Sequence, residues 1–131
     1  MSKKITVIGA GNVGATIAYT LSLGSIASEI VLIDINKDKV QGEVMDIVQG
    51  TSFREPISVI AGEYEDAKDS DIVIITSGVG RKPGQTRIDL AQTNVNILKS
   101  ITPQIVSVAP KALYVIVSNP VDIMTYVFTK I

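Results

Sequence analysis

The chain has 131 residues, of which 46% are hydrophobic and 19% charged, and its formal net charge is −1. This length suits one domain over residues 1–131, and the apolar content excludes a disordered chain because enough surface can be buried to offset the entropy of ordering. Twelve basic against thirteen acidic residues give no electrostatic footprint for nucleic acid, and the absence of cysteine and histidine excludes disulfides, thiolate or imidazole metal ligands and a histidine general base.

The N-terminal segment begins with two lysines and continues as an uncharged stretch over residues 5–28. A basic start before an apolar run is typical of a signal peptide or a membrane segment. Three glycines and an asparagine within residues 9–14 interrupt this run, where a membrane helix would carry leucine or phenylalanine. The pattern therefore favours a strand, a turn and a helix, and with them a cytoplasmic protein without a membrane span.

Five short runs rich in β-branched residues predict strands at residues 4–9, 29–34, 57–61, 71–76 and 113–117. The runs are continuous rather than alternating, which indicates strands buried on both faces, as in a parallel sheet. Helical patterns separate them. The expected fold class is therefore α/β, a doubly wound parallel sheet with right-handed crossovers.

The helices are predicted from apolar residues that recur at helical spacing. Asn36 is the expected N-cap of the second helix, and Thr86 and Asp89 form a capping box for the third. Pro103 should kink or end that third helix, and a fourth begins near Val121. The residues expected to face the sheet are Val13, Ile17 and Leu21, then Val40, Val44, Ile47 and Val48, and then Ala91, Val95, Leu98 and Ile105.

The motif Gly9-Ala-Gly-Asn-Val-Gly14 follows the first strand and opens the first helix, and so matches the dinucleotide-binding pattern G-x-G-x-x-G. Gly9 allows a tight turn, Gly11 lets the backbone approach a pyrophosphate, and Gly14 lets helix and strand pack closely. The helix N-terminus, with Asn12 and Val13, then offers unpaired N–H groups and a positive dipole end to the phosphates. Glycines also serve ordinary turns, so the motif alone is a weak signal.

Asp34 lies twenty residues after Gly14, at the end of the second strand, where an acid accepts hydrogen bonds from the adenosine ribose hydroxyls. A carboxylate there would repel a 2′-phosphate, so the expected cofactor is NAD rather than NADP. A cap or turn role for Asp34 is the alternative. Together the strand, glycine motif, helix and acid predict a Rossmann-type nucleotide-binding domain.

A polar loop at residues 78–85 follows the fourth strand at its carboxyl end, where open α/β sheets bind ligands. Arg81 and Lys82, with Arg87 shortly after, predict a flexible cationic lid over the cofactor cleft, since arginine pairs bidentately with carboxylates. The alternative is a solvated basic loop. A second exposed loop is expected at residues 50–56.

Three segments together resemble the L-lactate/malate dehydrogenase family: the glycine motif with Asp34, RKPGQTRIDL at residues 81–90, and SNPVDIMTYV at residues 118–127. The last two are far more specific than the glycine pattern, and the resemblance spans essentially the whole chain in order. It implies hydride transfer between NAD and a small 2-hydroxy or 2-oxo acid, in a protein that forms homo-oligomers.

The resemblance also implies residue roles. Arg87 matches the loop arginine that polarises the substrate carbonyl and stabilises negative charge during hydride transfer. Arg81 matches a position that would pair with a second substrate carboxylate and favour malate, whereas residues 46–50 are more similar to lactate dehydrogenases, so the substrate stays open. Asn119 matches the asparagine that contacts substrate and the nicotinamide-side ribose, and its bond to Pro120 is expected to be cis. Further cofactor contacts are implied at Tyr64 beside the adenine, and at Gly78, Val79, Asn94 and Val117.

Catalysis in that family needs a histidine with an aspartate partner and a further arginine, which lie in the second half of a chain more than twice as long. This sequence has no histidine and carries five of the six strands of such a cofactor domain. We therefore expect a domain truncated before the last strand and the substrate domain, which binds NAD but is inactive alone. The unpaired strand edge at residues 113–117 should promote self-association.

Other interpretations stay open. A non-catalytic nucleotide-sensing domain, of the kind that gates potassium transport, needs the glycine motif and no histidine, but has no need of the arginine loop at residues 81–87. Tyr126-x-x-x-Lys130 imitates the tyrosine–lysine pair of short-chain dehydrogenases, whose glycines are spaced differently. A scaffold role with a vestigial site has no support beyond the length of the chain.

Overall fold

The structure is a computed structural model, and it describes residues 3–24, 26–50, 57–80 and 82–131. Strands and helices alternate through these residues, as the sequence predicts. The strands are β1 (Lys4–Ile8), β2 (Glu29–Ile33), β3 (Ser58–Ala61), β4 (Ile72–Ile75) and β5 (Leu113–Ile116). The helices are α1 (Asn12–Leu23), α2 (Lys37–Gly50), α3 (Arg87–Val108) and α4 (Val121–Lys130), with a short 3₁₀ helix at Tyr64–Ala67. Of the exposed loop expected at residues 50–56, only Gly50 lies within the described residues, where it ends α2.

All five strands are parallel and pair in the order β3-β2-β1-β4-β5, with β1 at the centre. Ile8, which ends β1, is in register with Ile33 on β2 and with Ile75 on β4. Ile75 is in turn level with Ile116 of β5. The loops that follow these four strands therefore leave from one edge of the sheet, and they diverge between β1 and β4, where the strand order reverses.

Helices pack on both faces of the sheet, which explains the continuous apolar runs. Ile5 and Val7 of β1 pack with α1 and α2 on one face. Ile8 packs with α3, α4 and the 3₁₀ helix on the other. Within the described residues, no helix is both long and apolar enough to cross a membrane.

The buried face of α1 consists of Gly14, Ala18 and Ser22. The prediction that Val13 belongs to this face is wrong, because its side chain is 54% exposed. The start of α1 lies so close to β1 that a Cβ on Gly14 would collide with the carbonyl oxygen of Gly9. Only small residues fit such a contact, and the two larger residues of the predicted face pack at its margin.

The predicted N-cap of α2 is confirmed, since Asn36 Oδ1 accepts the amide N–H of Lys39 at 3.0 Å. The prediction of Val48 as a core residue is wrong, because its side chain is 45% exposed. Val48 lies beside β3, the edge strand, beyond which the described sheet does not continue. The other residues of the predicted face are buried, namely Val40, Val44 and Ile47.

The capping box of α3 is confirmed: Thr86 Oγ1 accepts the amide N–H of Asp89 at 3.1 Å, and Asp89 Oδ2 accepts that of Thr86 at 3.2 Å. The prediction that Pro103 could end this helix is wrong, because α3 runs on to Val108. Pro103 lies on the exposed side, so the carbonyl of Lys99 that loses its helical donor is on the solvent face.

Candidate nucleotide-binding site

Residues 9–14, which are the loop after β1 together with the first three residues of α1, form the glycine loop. Gly9 has φ +109°, a conformation that favours glycine, and its amide N–H donates to the carbonyl of Ile33 at 2.7 Å. Thr76, just beyond β4, donates its hydroxyl to the carbonyls of Ile8 and Gly9 at 3.1 and 3.2 Å. The glycine loop is thus fixed to the ends of both neighbouring strands.

Gly11 differs from the other two glycines of the motif. A Cβ placed on Gly11 would have no protein atom within 4 Å. Its φ of −71° is open to any residue, and no side chain caps α1 at this point. Neither backbone conformation nor packing among the described residues requires glycine here. The open space above uncapped helix N–H groups, next to the exposed Asn12 and Val13, fits a phosphate group that comes close to the backbone.

Asp34 holds the glycine loop from the β2 side. Its Oδ2 accepts the amide N–H of Ala10 at 2.6 Å, and its Oδ1 accepts that of Asn36 at 2.9 Å. The turn role weighed against ribose binding is therefore present. It does not exhaust the carboxylate, because each oxygen has a further lone pair and the side chain is only partly buried.

Tyr64 lies near Asp34 at the start of the 3₁₀ helix. Burial raises the pKa of the Tyr64 hydroxyl above its ordinary value, and the nearby carboxylates of Asp34 and Glu63 raise it further. Glu63 itself pairs with Lys37 of α2 at 2.7 Å, on the surface. The Tyr64 ring therefore stays neutral beside the carboxylate that is predicted to bind ribose.

Ile35 is a residue that the sequence reasoning missed. It follows Asp34 directly and is 95% exposed, the largest exposure among the apolar side chains in the described part of the chain. The sequence offered one signal for this exposure, because Ile35 is an apolar residue between two polar ones, Asp34 and the N-cap Asn36. An aliphatic side chain left in water beside a ribose site fits contact with the flat face of a base.

The loops after β4 and β5 form the other half of the site. Gly78 has φ +151°, and the predicted cis peptide between Asn119 and Pro120 is confirmed. Ser118 is buried and donates its hydroxyl to the carbonyl of Ser77, which ties the two loops together. Val117 is half-buried, and its amide donates to the carbonyl of Ile75 at 2.9 Å.

Asn94 lies on α3 beneath these two loops, with 1% of its surface exposed. Its Oδ1 accepts the amide N–H of Val79 at 2.9 Å. Its Nδ2 donates to the carbonyl of Asn119 at 2.6 Å and to that of Val79 at 3.3 Å. Asn94 therefore contacts both loops through their backbones.

Of the two arginines predicted to contact the substrate, only Arg87 lies within the described residues. Arg87 is the first residue of α3 and is exposed, seven residues before Asn94 and so about 10 Å further along the helix axis. Arg81 lies outside the described residues. Among the residues that are described, no group of three carboxylate, histidine or cysteine side chains is arranged to hold a metal ion.

Comparison with known proteins finds a matching family and several similar proteins. A family model, the NAD-binding domain of lactate/malate dehydrogenase, matches residues 3–131. The L-lactate dehydrogenase of Clostridium perfringens (strain SM101 / Type A) is 52% identical over 130 residues, which are 99% of this chain and 41% of that protein. That of Thermoanaerobacter sp. (strain X514) is 54% identical over 128 residues, with 98% and 41% covered.

Solved structures show the same architecture. The minor L-lactate dehydrogenase of Enterococcus mundtii superposes with a TM-score of 0.93 and 42% identity, covering 98% of this chain and 41% of that one. A malate dehydrogenase of Archaeoglobus fulgidus in complex with NADH gives 0.90 and 41%, with 97% and 44% covered. The chain spans about two fifths of the length of the relatives it matches.

Proposed function

Because the chain belongs to the lactate/malate dehydrogenase family, in which it matches the NAD-binding domain, we propose that its 131 residues form one domain that binds NAD across the carboxyl edge of the sheet. The observation that carries this proposal is the open space at Gly11. Nothing among the described residues occupies the space above it, and the uncapped N-terminus of α1 and the carboxylate of Asp34 border that space.

The site divides into two halves on either side of β1. On the β2 side, the glycine loop would hold the pyrophosphate, Asp34 would accept the ribose hydroxyls, and Ile35 and Tyr64 would contact the adenine. On the β4 side, the nicotinamide half would contact four of the remaining cofactor positions, which are Gly78, Val79, Val117 and Asn119. Asn94 lies beneath this half of the site and is bonded to its loops.

For the whole protein we propose an oxidoreductase that transfers hydride between NAD and a small 2-hydroxy or 2-oxo acid. NAD supplies the hydride acceptor when bound. Arg87 polarises the substrate carbonyl and stabilises its developing negative charge, while Arg81 and Asn119 contact the rest of the substrate. Arg87 fits this role because it is exposed at the start of α3, beyond the edge of the sheet where the nicotinamide half is placed.

The 131 residues alone should bind NAD without dehydrogenase turnover. They contain no histidine, and hence no side chain that titrates near neutral pH in its ordinary environment and could exchange a proton with the substrate oxygen. General acid–base catalysis of this kind supplies about 10²–10⁴-fold of the rate in enzymes. A cytoplasmic location stays a prediction of the sequence.

Self-association is a further part of the proposal. β5 is the last strand of the described sheet, and Leu113 and Val115 on one of its faces are 65% and 40% exposed. On the other face of β5, Tyr114 and Ile116 pack under α3 and α4. An apolar strand that is open at its edge and on one face favours pairing with a second copy of the chain.

A titration with NADH and with NADPH tests the nucleotide proposal. We expect saturable NADH binding, with NADPH at least tenfold weaker because the Asp34 carboxylate repels the 2′-phosphate. The Asp34→Ser variant should bring the dissociation constants for NADH and NADPH closer together. Asp38 is an acid on the exposed first turn of α2, and the Asp38→Ser variant should leave the ratio of the two constants unchanged. Equal affinity of the unchanged chain for the two nucleotides would contradict the role of Asp34.

A further inference from the structure

Asn94 is the largest polar side chain in the described core. It is buried at the point where α3 passes under two loops from different strands, the Gly78–Val79 segment after β4 and the Asn119 turn after β5. Backbone groups of both loops are hydrogen-bonded to this one amide. A buried polar group with this many fixed partners specifies geometry, because each partner left unpaired would cost free energy.

The capacity of the Asn94 amide is almost fully used within the protein. Its two N–H groups go to the carbonyls of Asn119 and Val79, and its oxygen accepts the amide of Val79. One lone pair on that oxygen is left. Asn94 therefore has no hydrogen to donate to a bound nucleotide, and its closure inside the protein argues against a direct contact.

Gly78 shows how closely the amide fits its surroundings. A Cβ on Gly78 would lie 3.1–3.2 Å from the Cγ, Oδ1 and Nδ2 atoms of Asn94. The loop backbone thus lies directly against the Asn94 amide. A shift of this side chain would move the loop and, through the 2.6 Å bond, the Asn119 carbonyl as well.

We propose that Asn94 is a positioning residue: it holds the Gly78–Val79 segment and the Asn119 turn in the mutual placement that the nicotinamide half of the cofactor requires, and it acts through their backbones. The inference rests on the proposed NAD site. It assigns the adenosine half to other contacts. The described hydrogen bonds of the glycine loop and Asp34 run to the end of β2 and the turn after it, to each other, along α1 and to Thr76 after β4, and none of them reaches Asn94.

The test separates the two halves of the nucleotide. Asn94→Leu keeps the branching at Cγ in a larger side chain and removes the polar atoms, and Asn94→Ala is a second, smaller variant that leaves room for water. The matched control is Asn96→Leu, two residues along the same helix, where the exposed amide bonds only to the side chain of Gln92. Dissociation constants are measured for NADH and for ADP, which fills the adenosine half alone.

We expect both Asn94 variants to bind NADH at least tenfold more weakly and to bind ADP within about twofold of the unchanged chain. The control should match the unchanged chain for both ligands. Unchanged NADH affinity in a folded Asn94 variant would overturn the proposal. An equal loss for NADH and ADP would also overturn it, because Asn94 would then support the whole fold rather than one half of the site.

Amide hydrogen exchange without ligand tests independently whether Asn94 holds the Gly78–Val79 segment in place. The Val79 amide should exchange fast in both Asn94 variants and slowly in the unchanged chain, while the Gly9 amide, bonded to Ile33, stays protected throughout. Unchanged exchange at Val79, or lost protection at Gly9 in both variants, contradicts the inference. Failure of the unchanged chain to bind NADH contradicts the proposed function instead, and leaves this exchange result to decide the role of Asn94.

Discussion

The glycines of the loop after β1 serve different physical purposes, although the motif presents them as one pattern. Gly9 adopts a positive φ, and Gly14 leaves no space for a Cβ against the backbone of Gly9. Gly11 meets neither constraint, since its φ is ordinary and its surroundings are open. Folding therefore explains Gly9 and Gly14, and the open space at Gly11 fits the proposed phosphate contact.

Two single replacements should separate folding from binding. Gly14→Ala forces a methyl group against a backbone carbonyl and should lower the free energy of unfolding by about 1–3 kcal/mol or more. Gly11→Ala should unfold close to the unchanged chain in urea, yet bind NADH at least tenfold more weakly, because its methyl group enters the phosphate space. Full NADH affinity in Gly11→Ala would show that this space is not used.

Asp34 combines a turn contact with the capacity to accept further hydrogen bonds, which the sequence alone does not show. Its position after β2 suggested either a ribose acceptor or a turn residue, and these were alternatives on sequence grounds. The structure shows that its carboxylate already bonds to Ala10 and Asn36, with lone pairs left over. One carboxylate can meet both demands, which no local pattern reveals because Ala10 belongs to the loop after a different strand, β1.

At the level of elements, α3 and β5 are joined by Tyr114. Its hydroxyl donates to the carbonyl of Ala109, just past the end of α3, at 2.7 Å. Its ring packs on Phe128 of α4, with the two ring centroids 4.9 Å apart. Burial raises the pKa of the Tyr114 hydroxyl above its ordinary value of 10.0. The neutral hydroxyl is thus the form that the folded chain stabilises.

This shift predicts a loss of stability in alkali. The pKa of Tyr114 is higher in the folded than in the unfolded chain, so its contribution is complete below about pH 10 and is lost as the pH rises through the folded value. Urea unfolding at a series of alkaline pH values should show this fall. Tyr114→Phe should make the fall shallower, leaving the share of Tyr64, whose pKa is raised in the same direction. The control is Tyr126→Phe, because that ring is 64% exposed; an equal flattening in both variants would contradict the assignment.

Periodicity predicted the elements well but not every face. Continuous apolar runs located all five strands, and the caps at Asn36 and Thr86 located the starts of two helices. Val13 was wrongly assigned to the contact face of α1, because Gly14 sets the approach of that helix whereas hydrophobic spacing favours large residues. Of the two effects predicted for Pro103, an end of the helix is contradicted, because Pro103 faces solvent and α3 continues to Val108. The sequence does not state which way this residue faces.

At the scale of the whole molecule, the strand order assembles a site from five separate stretches of chain. The glycine loop, Asp34 and Tyr64 lie on the β2 side of β1, and the loops after β4 and β5 lie on the other. The members proposed for this site come from motifs and from the family resemblance, and their contacts with a nucleotide stay a prediction. The contacts of Asn94 with Val79 and Asn119 could not be predicted, since they depend on how α3 crosses beneath two loops.

Backbone amide mapping with NADH tests the central claim most directly. Upon titration, the largest chemical-shift changes should fall in the glycine loop, at residues 34–35, at Gly78 and Val79, and at Asn119. Amides at the opposite edge of the sheet, such as those of Glu29 and Ser58, should not shift. A folded chain whose shifts do not change with NADH, or change only at that opposite edge, would contradict nucleotide binding at the carboxyl ends of the strands.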